Sequence, residues 1–272
     1  MPQSKLDFIQ HEMLRIALSF HHFCEENNLK YAICGGTLLG AVRHKNFIPW
    51  DDDFDVFMPR GDFERFLEIW KDHNDIELKK NGDSDYYKIA TPAKLHNPKT
   101  KVIELNEIEN GVSDSFLNHG IFIDVFPIDF YPDNKIGAML NNYIGKINIK
   151  KSLSRFPMHT LSWRHRKVIS IFKYIPQYVI DKIVDVGLNQ VRENSLGKIG
   201  YGVESAITNL WVDADVIFPF KKVKCIAGHE FYMPAQPEAY LAHRFGDFMT
   251  LPPKDKQFSH ICKLYVNGEE YI

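Results

Sequence analysis

Four cysteines in 272 residues, Cys24, Cys34, Cys225 and Cys262, form no CxxC pair. That removes the usual warrant for a zinc site or a disulfide-stapled fold, and they read as reduced thiols. No uninterrupted apolar run approaches the roughly 20 residues of a membrane-spanning helix. The segment 1–7 holds no apolar core of a secretory leader, so a cytoplasmic location is expected. A net charge of −2 gives no global argument for a nucleic-acid partner. Blocks of like charge, internal repeats and low-complexity segments are absent too. What is present is 44% hydrophobic and 25% charged, the balance of a globular chain with a sizeable core in one elaborated domain or at most two.

Leu6, Ile9, Met13, Ile16, Phe20 and Phe23 recur at intervals of three and four and predict an amphipathic helix over residues 4–28. A short buried strand follows at 31–34. Gly35-Gly36 then break the chain, and Thr37 can cap a short helix over 38–43. Residues 53–58 read as a strand stopped by Pro59, and 62–73 as a helix. Residues 86–96 and 101–105 read as a strand pair around the turn Asn97-Pro98-Lys99. Residues 121–126 form an apolar strand ended by Pro127, and 134–196 turns helical. A hairpin around Gly228 and a short helix over 237–245, with Pro at its start and Gly246 after its end, complete the pattern.

The densest chemistry lies at Asp51, Asp52, Asp53 and Asp55, four carboxylates in five residues just after the glycine turn. Like charge at that density repels itself unless a cation is present, and carboxylate oxygens suit Mg²⁺ or Mn²⁺. A glycine turn beside it lets backbone N–H groups approach phosphate oxygens. Asp124, a single charge in an apolar strand, needs a partner or a metal. These features point to a metal-dependent enzyme acting on a phosphate ester or anhydride.

The order helix, strand, Gly-Gly turn, short helix, acidic strand, later acid-bearing strand resembles the nucleotidyltransferase superfamily. The run from Gly36 to Asp53, GTLLGAVRHKNFIPWDDD, the segment FIDVFPID at 122–129, and Tyr240-Leu241 through Arg244-Phe245-Gly246-Asp247 to Pro252-Pro253 resemble, more narrowly, the LicD family. The resemblance covers residues from about 5 to 260 in order. It departs at Phe258-Ser259-His260, where an arginine is expected two or three residues before the histidine.

The resemblance implies a small mixed α/β sheet flanked by helices, with an inserted helical region. The expected layout is one catalytic domain over 1–272, with a core over about 28–130, a helical insertion over about 134–200, and a C-terminal hairpin and helix over about 215–272. It implies catalytic metal ligation by Asp53, Asp55 and Asp124; Asp53 with Asp55 is preferred over Asp51 with Asp53 because Asp53-Phe54-Asp55-Val56 alternates as a half-buried strand should.

 Asp51 and Asp52 then hold the loop at the strand entrance, and Asp129, beyond Pro127, is the runner-up to Asp124 and otherwise stands behind it. Two Mg²⁺ or Mn²⁺ ions would bridge the phosphates of a CDP-activated donor, with Asp124 taking the acceptor proton. Gly35, Gly36, Thr37, Arg43, His44 and Lys94 are the candidate donor and phosphate contacts, Arg43 foremost because its fork suits phosphate oxygens.

Members of that family move phosphocholine from CDP-choline to cell-surface glycans such as teichoic acid or lipopolysaccharide, and relatives use CDP-glycerol or CDP-ribitol. An aromatic cage would favour choline; Trp50, Tyr86, Tyr87, Tyr201 and Trp211 are the aromatics in or near polar loops. Residues 146–182 carry nine Lys or Arg against one Asp, interleaved with aromatics. That segment suits a solvated helix pair, an anionic glycan, or peripheral contact with the inner face of the cell membrane near a lipid-linked acceptor, and no nucleic-acid motif accompanies it. Two rival readings are a DxD glycosyltransferase, on Asp53-Phe54-Asp55 alone, and a non-catalytic glycan-binding protein with a vestigial site.

Overall fold

The computed structural model describes residues 3–83, 91–112, 119–131, 135–188, 197–205, 207 and 211–271. Helix α1 (Gln3–Glu26) buries Ile9, Met13, Ile16 and Phe20 along one stripe, as the three-four spacing requires. It is followed by β1 (Ala32–Ile33), α2 (Gly35–Arg43), β2 (Asp55–Pro59) and α3 (Arg60–Ile69). Then come β3 (Glu77–Lys80), β4 (Ala93–His96), β5 (Thr100–Glu104), α4 (Leu105–Asn110) and the long strand β6 (Phe122–Phe130). The helical region is α5 (Lys135–Leu153), α6 (Trp163–Ile171) and α7 (Gln177–Leu188). The chain closes with β7 (Lys198–Tyr201), β8 (Val212–Asp213), α8 (Ala214–Ile217), β9 (Lys221–Ile226), β10 (His229–Met233), α9 (Pro237–Phe245), β11 (Ile261–Val266) and β12 (Glu269–Glu270).

The fold is mixed α/β, and β6 organises it. Strand β2 lies parallel to β6 on one side, with Asp55 opposite Asp124. On the other side β4 pairs antiparallel with the first half of β6, placing Lys94 opposite Asp124, and β7 pairs with the second half. Strands β1, β3 and β8 extend the sheet from β2, β4 and β7. Directly opposed residues share a face, so Asp55, Asp124 and Lys94 form one row across three strands. Helices α1 and α3 cover one face, where Phe20 meets Phe66 edge-on; on the other, Tyr240 of α9 packs against Phe57.

Three local expectations are corrected. Residues 93–96 and 100–104 are not a strand pair: β4 joins the main sheet, whereas β5 pairs with β11 in a separate three-stranded sheet. Strand β6 does not stop at Pro127. The missing N–H falls where the pairing partner changes from β4 to β7, a position where the ladder does not need it. Asp129 therefore lies inside the strand, not beyond it. Helix α2 also starts earlier than expected, with both glycines in its first turn.

Candidate functional site

The glycine turn and the acid loop are built against each other. Gly35 takes φ +56°, a left-handed backbone that favours glycine, and a methyl there would come within 2.5 Å of Asp55 Oδ2. A methyl on Gly36 would come within 2.8 Å of Asp51 Oδ2 and 3.6 Å of Asp53 Oδ1. The hydroxyl of Thr37 accepts the Asp55 backbone N–H at 2.8 Å. Asp51, Asp53 and Asp55 thus gather around the N-terminus of a nine-residue helix, whose leading N–H groups carry partial positive charge. Only Asp55 lies in β2; Asp53 reaches the site from the preceding loop, so the two acids do not share one strand face as the alternation suggests.

Two remote fastenings shape that loop. Gln10 Nε2 donates to the Ile48 and Asp51 carbonyls at 3.2 and 2.9 Å. Asp52, buried, accepts from the Ser259 hydroxyl and the Ile261 backbone N–H, both at 2.5 Å. Asp51 and Asp52, expected to share the role of holding the loop, therefore divide: Asp52 ties it to the C-terminal segment, while Asp51 faces the helix with Asp53 and Asp55.

A cavity of about 400 Å³ opens beside the acids. Asp53, Asp124 and Lys94 line it. Glu104, Glu107, Phe122, Phe156 and Met158 also line it, and His260 borders it next to Asp53. Lys94 pairs with Asp124 and sits 3.2 Å from the centroid of the Phe122 ring. Glu104 and Glu107 brace each other in a reciprocal capping box at the start of α4. Their outer oxygens lie 3.7 and 3.6 Å from His119 Nε2, and one ligand atom from each of the three falls within 4.8 Å of the others. This second group is a possible metal-binding cluster that the sequence reading missed; Glu104-x-x-Glu107 was its only local signal.

The remaining candidates fall outside this cavity. Arg43 donates to the Phe248 carbonyl at 2.8 Å and to His44 Nε2 at 3.0 Å, and His44 meets Trp50 edge-on. Asp129, five residues from Asp124, faces the other side of the sheet and pairs with Arg60 at 2.6 Å, so it does not stand behind the site. Among the aromatics weighed for a cage, Trp211 stacks on Tyr131 and Tyr201 hydrogen-bonds Tyr240 at 2.8 Å; Tyr86 and Tyr87 lie outside the described residues. Arg244, unassigned by the sequence reading, lies over the Tyr201 ring at 5.7 Å, and its charge acts on Asp55.

Burial and the mutual repulsion of the acids dominate the electrostatics. Burial, then Asp52 and Asp124, push the Asp53 carboxyl up to about 6. Burial and neighbouring carboxylates also push Asp51 and Asp55 well above the usual range. Asp53 Oδ1 is buried and accepts no hydrogen bond. An orphaned oxygen among crowded carboxylates fits a hard divalent cation.

The sign of the pH dependence follows. With its folded pKa raised, Asp53 binds more protons folded than unfolded between about pH 4 and about 6. Its contribution to stability is present below that window and lost as pH rises through it. The metal-free protein should melt higher at pH 5 than at pH 7.5, by on the order of 5 °C, and Mg²⁺ should raise the melting temperature more at the higher pH. Thermal melts with EDTA and with Mg²⁺ check this; a melting point that rises with pH and ignores Mg²⁺ would contradict it.

Comparison with known proteins adds three findings. The family profile described as LicD/FKTN/FKRP, nucleotidyltransferase domain, matches residues 28–169. The lipopolysaccharide cholinephosphotransferase LicD of Haemophilus influenzae is 27% identical over 271 residues, covering 93% of this chain and 95% of its own. An uncharacterized protein of Rickettsia typhi is 27% identical over 133 residues, covering 47% of this chain and 38% of its own.

Proposed function

This chain belongs to the LicD/FKTN/FKRP nucleotidyltransferase family, and from that premise we propose that it transfers phosphocholine from CDP-choline to a hydroxyl of a cell-surface glycan. It is an enzyme of the phosphotransferase type, with the whole chain acting as one catalytic unit. The similarity to a lipopolysaccharide cholinephosphotransferase along nearly the full length of both chains supports a choline donor and a lipopolysaccharide acceptor, with teichoic acid the other acceptor of this reading. The observation that carries the reading is the cavity that brings Asp53, Asp124 and Lys94 together with Glu104, Glu107, Phe122, Phe156 and Met158. Carboxylates and aromatic faces suit a quaternary ammonium, which donates no conventional hydrogen bond.

Asp53, Asp55 and Asp124 would hold Mg²⁺ or Mn²⁺, as two ions, with Asp51 alongside. Bound there, divalent cations neutralise the pyrophosphate and the leaving CMP. The N–H groups of Gly36 and Thr37 open α2 toward the phosphates. Asp124, ion-paired with Lys94, takes the proton as the acceptor oxygen bonds to phosphorus and the bond from phosphorus to CMP breaks.

A second reading, a glycerol- or ribitol-phosphate transferase, draws on Asn106 and Ser152, polar side chains in the same cavity. Equilibrium titration with CDP-choline, CDP-glycerol and CDP-ribitol, each with Mg²⁺ and with EDTA, separates the two. Mg²⁺-dependent preference for CDP-choline is expected. Preference for an alditol donor moves the protein to the second reading, and no binding of any CDP ligand overturns both.

A further inference from the structure

Helix α6 touches α5 but is otherwise little covered among the described residues. Of its nine residues only Ile169 is buried. At 100° per residue, the stripe opposite Ile169 carries Trp163, Arg164, Lys167, Val168 and Ile171, all exposed. Trp163 and Ile171 are 57% and 62% exposed, and Tyr174 in the following turn is 85% exposed. Among the described residues, ten of the seventeen exposed large apolar side chains belong to α5–α7 and the turn before α7. The same region, 135–188, holds ten Lys or Arg against two Asp in a chain of net charge −2. The two properties meet at single side chains: Lys167 Nζ lies 5.0 Å and the Arg164 guanidinium 5.5 Å from the Trp163 ring centroid.

We propose that the outward face of α6 docks on an anionic lipid bilayer. Charge complementarity selects this occupant. Basic side chains meet lipid phosphates, while Trp163, Ile171 and Tyr174 enter the boundary between headgroups and acyl chains, where amphipathic rings settle. Helix α5, just before α6, supplies Ile149, Ser152 and Leu153 to the cavity wall. Docking through α6 therefore holds the cavity near the membrane, where an acceptor glycan on a lipid carrier would be met; that last step rests on the transfer reading.

Sedimentation of the full chain with vesicles tests the surface. Binding to phosphatidylcholine mixed with phosphatidylglycerol, weakened by salt, is expected, with little binding to phosphatidylcholine alone. Replacing Arg164, Lys167 and Lys173 by Gln should weaken binding roughly a hundredfold. These side chains are exposed, so the melting temperature and CDP-choline binding should hold. The indole emission should shift to the blue on anionic vesicles and lose that shift in Trp163→Phe. Equal binding to both vesicle types, no binding to either, an undiminished triple variant, or capture by heparin without vesicle binding would each overturn the proposal. Vesicle binding without CDP-donor binding would keep this surface and sink the transfer reading; the reverse result would do the opposite.

Discussion

Asp55→Asn is expected to lower phosphocholine transfer by on the order of a thousandfold while leaving the fold intact. The side chain is opposite Asp124 in the sheet register and packs against Gly35, so an amide of nearly the same shape fits the space. What it loses is charge. The site gathers carboxylates that burial and one another push toward protonation, and only a cation makes that arrangement favourable. One acid fewer relieves the metal-free protein and weakens its hold on Mg²⁺. The variant should therefore melt no lower than the parent in EDTA and gain less from Mg²⁺. Asp53→Asn should behave alike. Turnover close to the parent in either variant, measured as CMP release, would remove these acids from the chemistry.

The largest stability effect is expected from Arg60→Met. Arg60 bridges Asp129 at 2.6 Å and Glu204 at 2.5 Å, with side-chain exposures of 14%, 0% and 12%. Burial alone would lower the guanidinium, but Glu204 and Asp129 raise it, so the cation is secure. Removing it strands one buried and one half-buried carboxylate, at a cost of about 3–5 kcal/mol. Replacing all three by apolar residues, Arg60→Met with Asp129→Leu and Glu204→Leu, should recover most of that loss, because no buried charge is then left unpaired. Urea denaturation of both variants checks the pair of outcomes. A triple variant as unstable as the single one would mean the residues matter for packing and not for charge balance.

Local patterns in the sequence reached as far as local causes do. The three-four stripe of α1, the Pro237 and Gly246 punctuation of α9, and the hairpin around Gly228 are each determined by a few neighbours, and each was legible. The gathering of Asp53, Asp55 and Asp124 near Gly35-Gly36 was legible through family resemblance, since alternation in one strand cannot say which strand lies beside it. For the same reason β5 was assigned to the wrong partner. A proline reads as a strand end until the neighbouring strands are known to change at that point. Arg60 with Asp129 and Glu204, and Glu107 with His119, are meetings of residues twelve or more positions apart in the chain, and no spacing announces them.

The hold of Ser259 and Ile261 on Asp52 joins residues 207 and 209 positions apart. During synthesis the acid loop emerges early and waits for its fastener until the chain is nearly finished. The segment 28–169 that the family profile matches is consequently no minimal enzyme. Expressed alone it would hold the acids without the tether that sets their loop, and a nascent chain would have no finished acid loop until its last strands fold back.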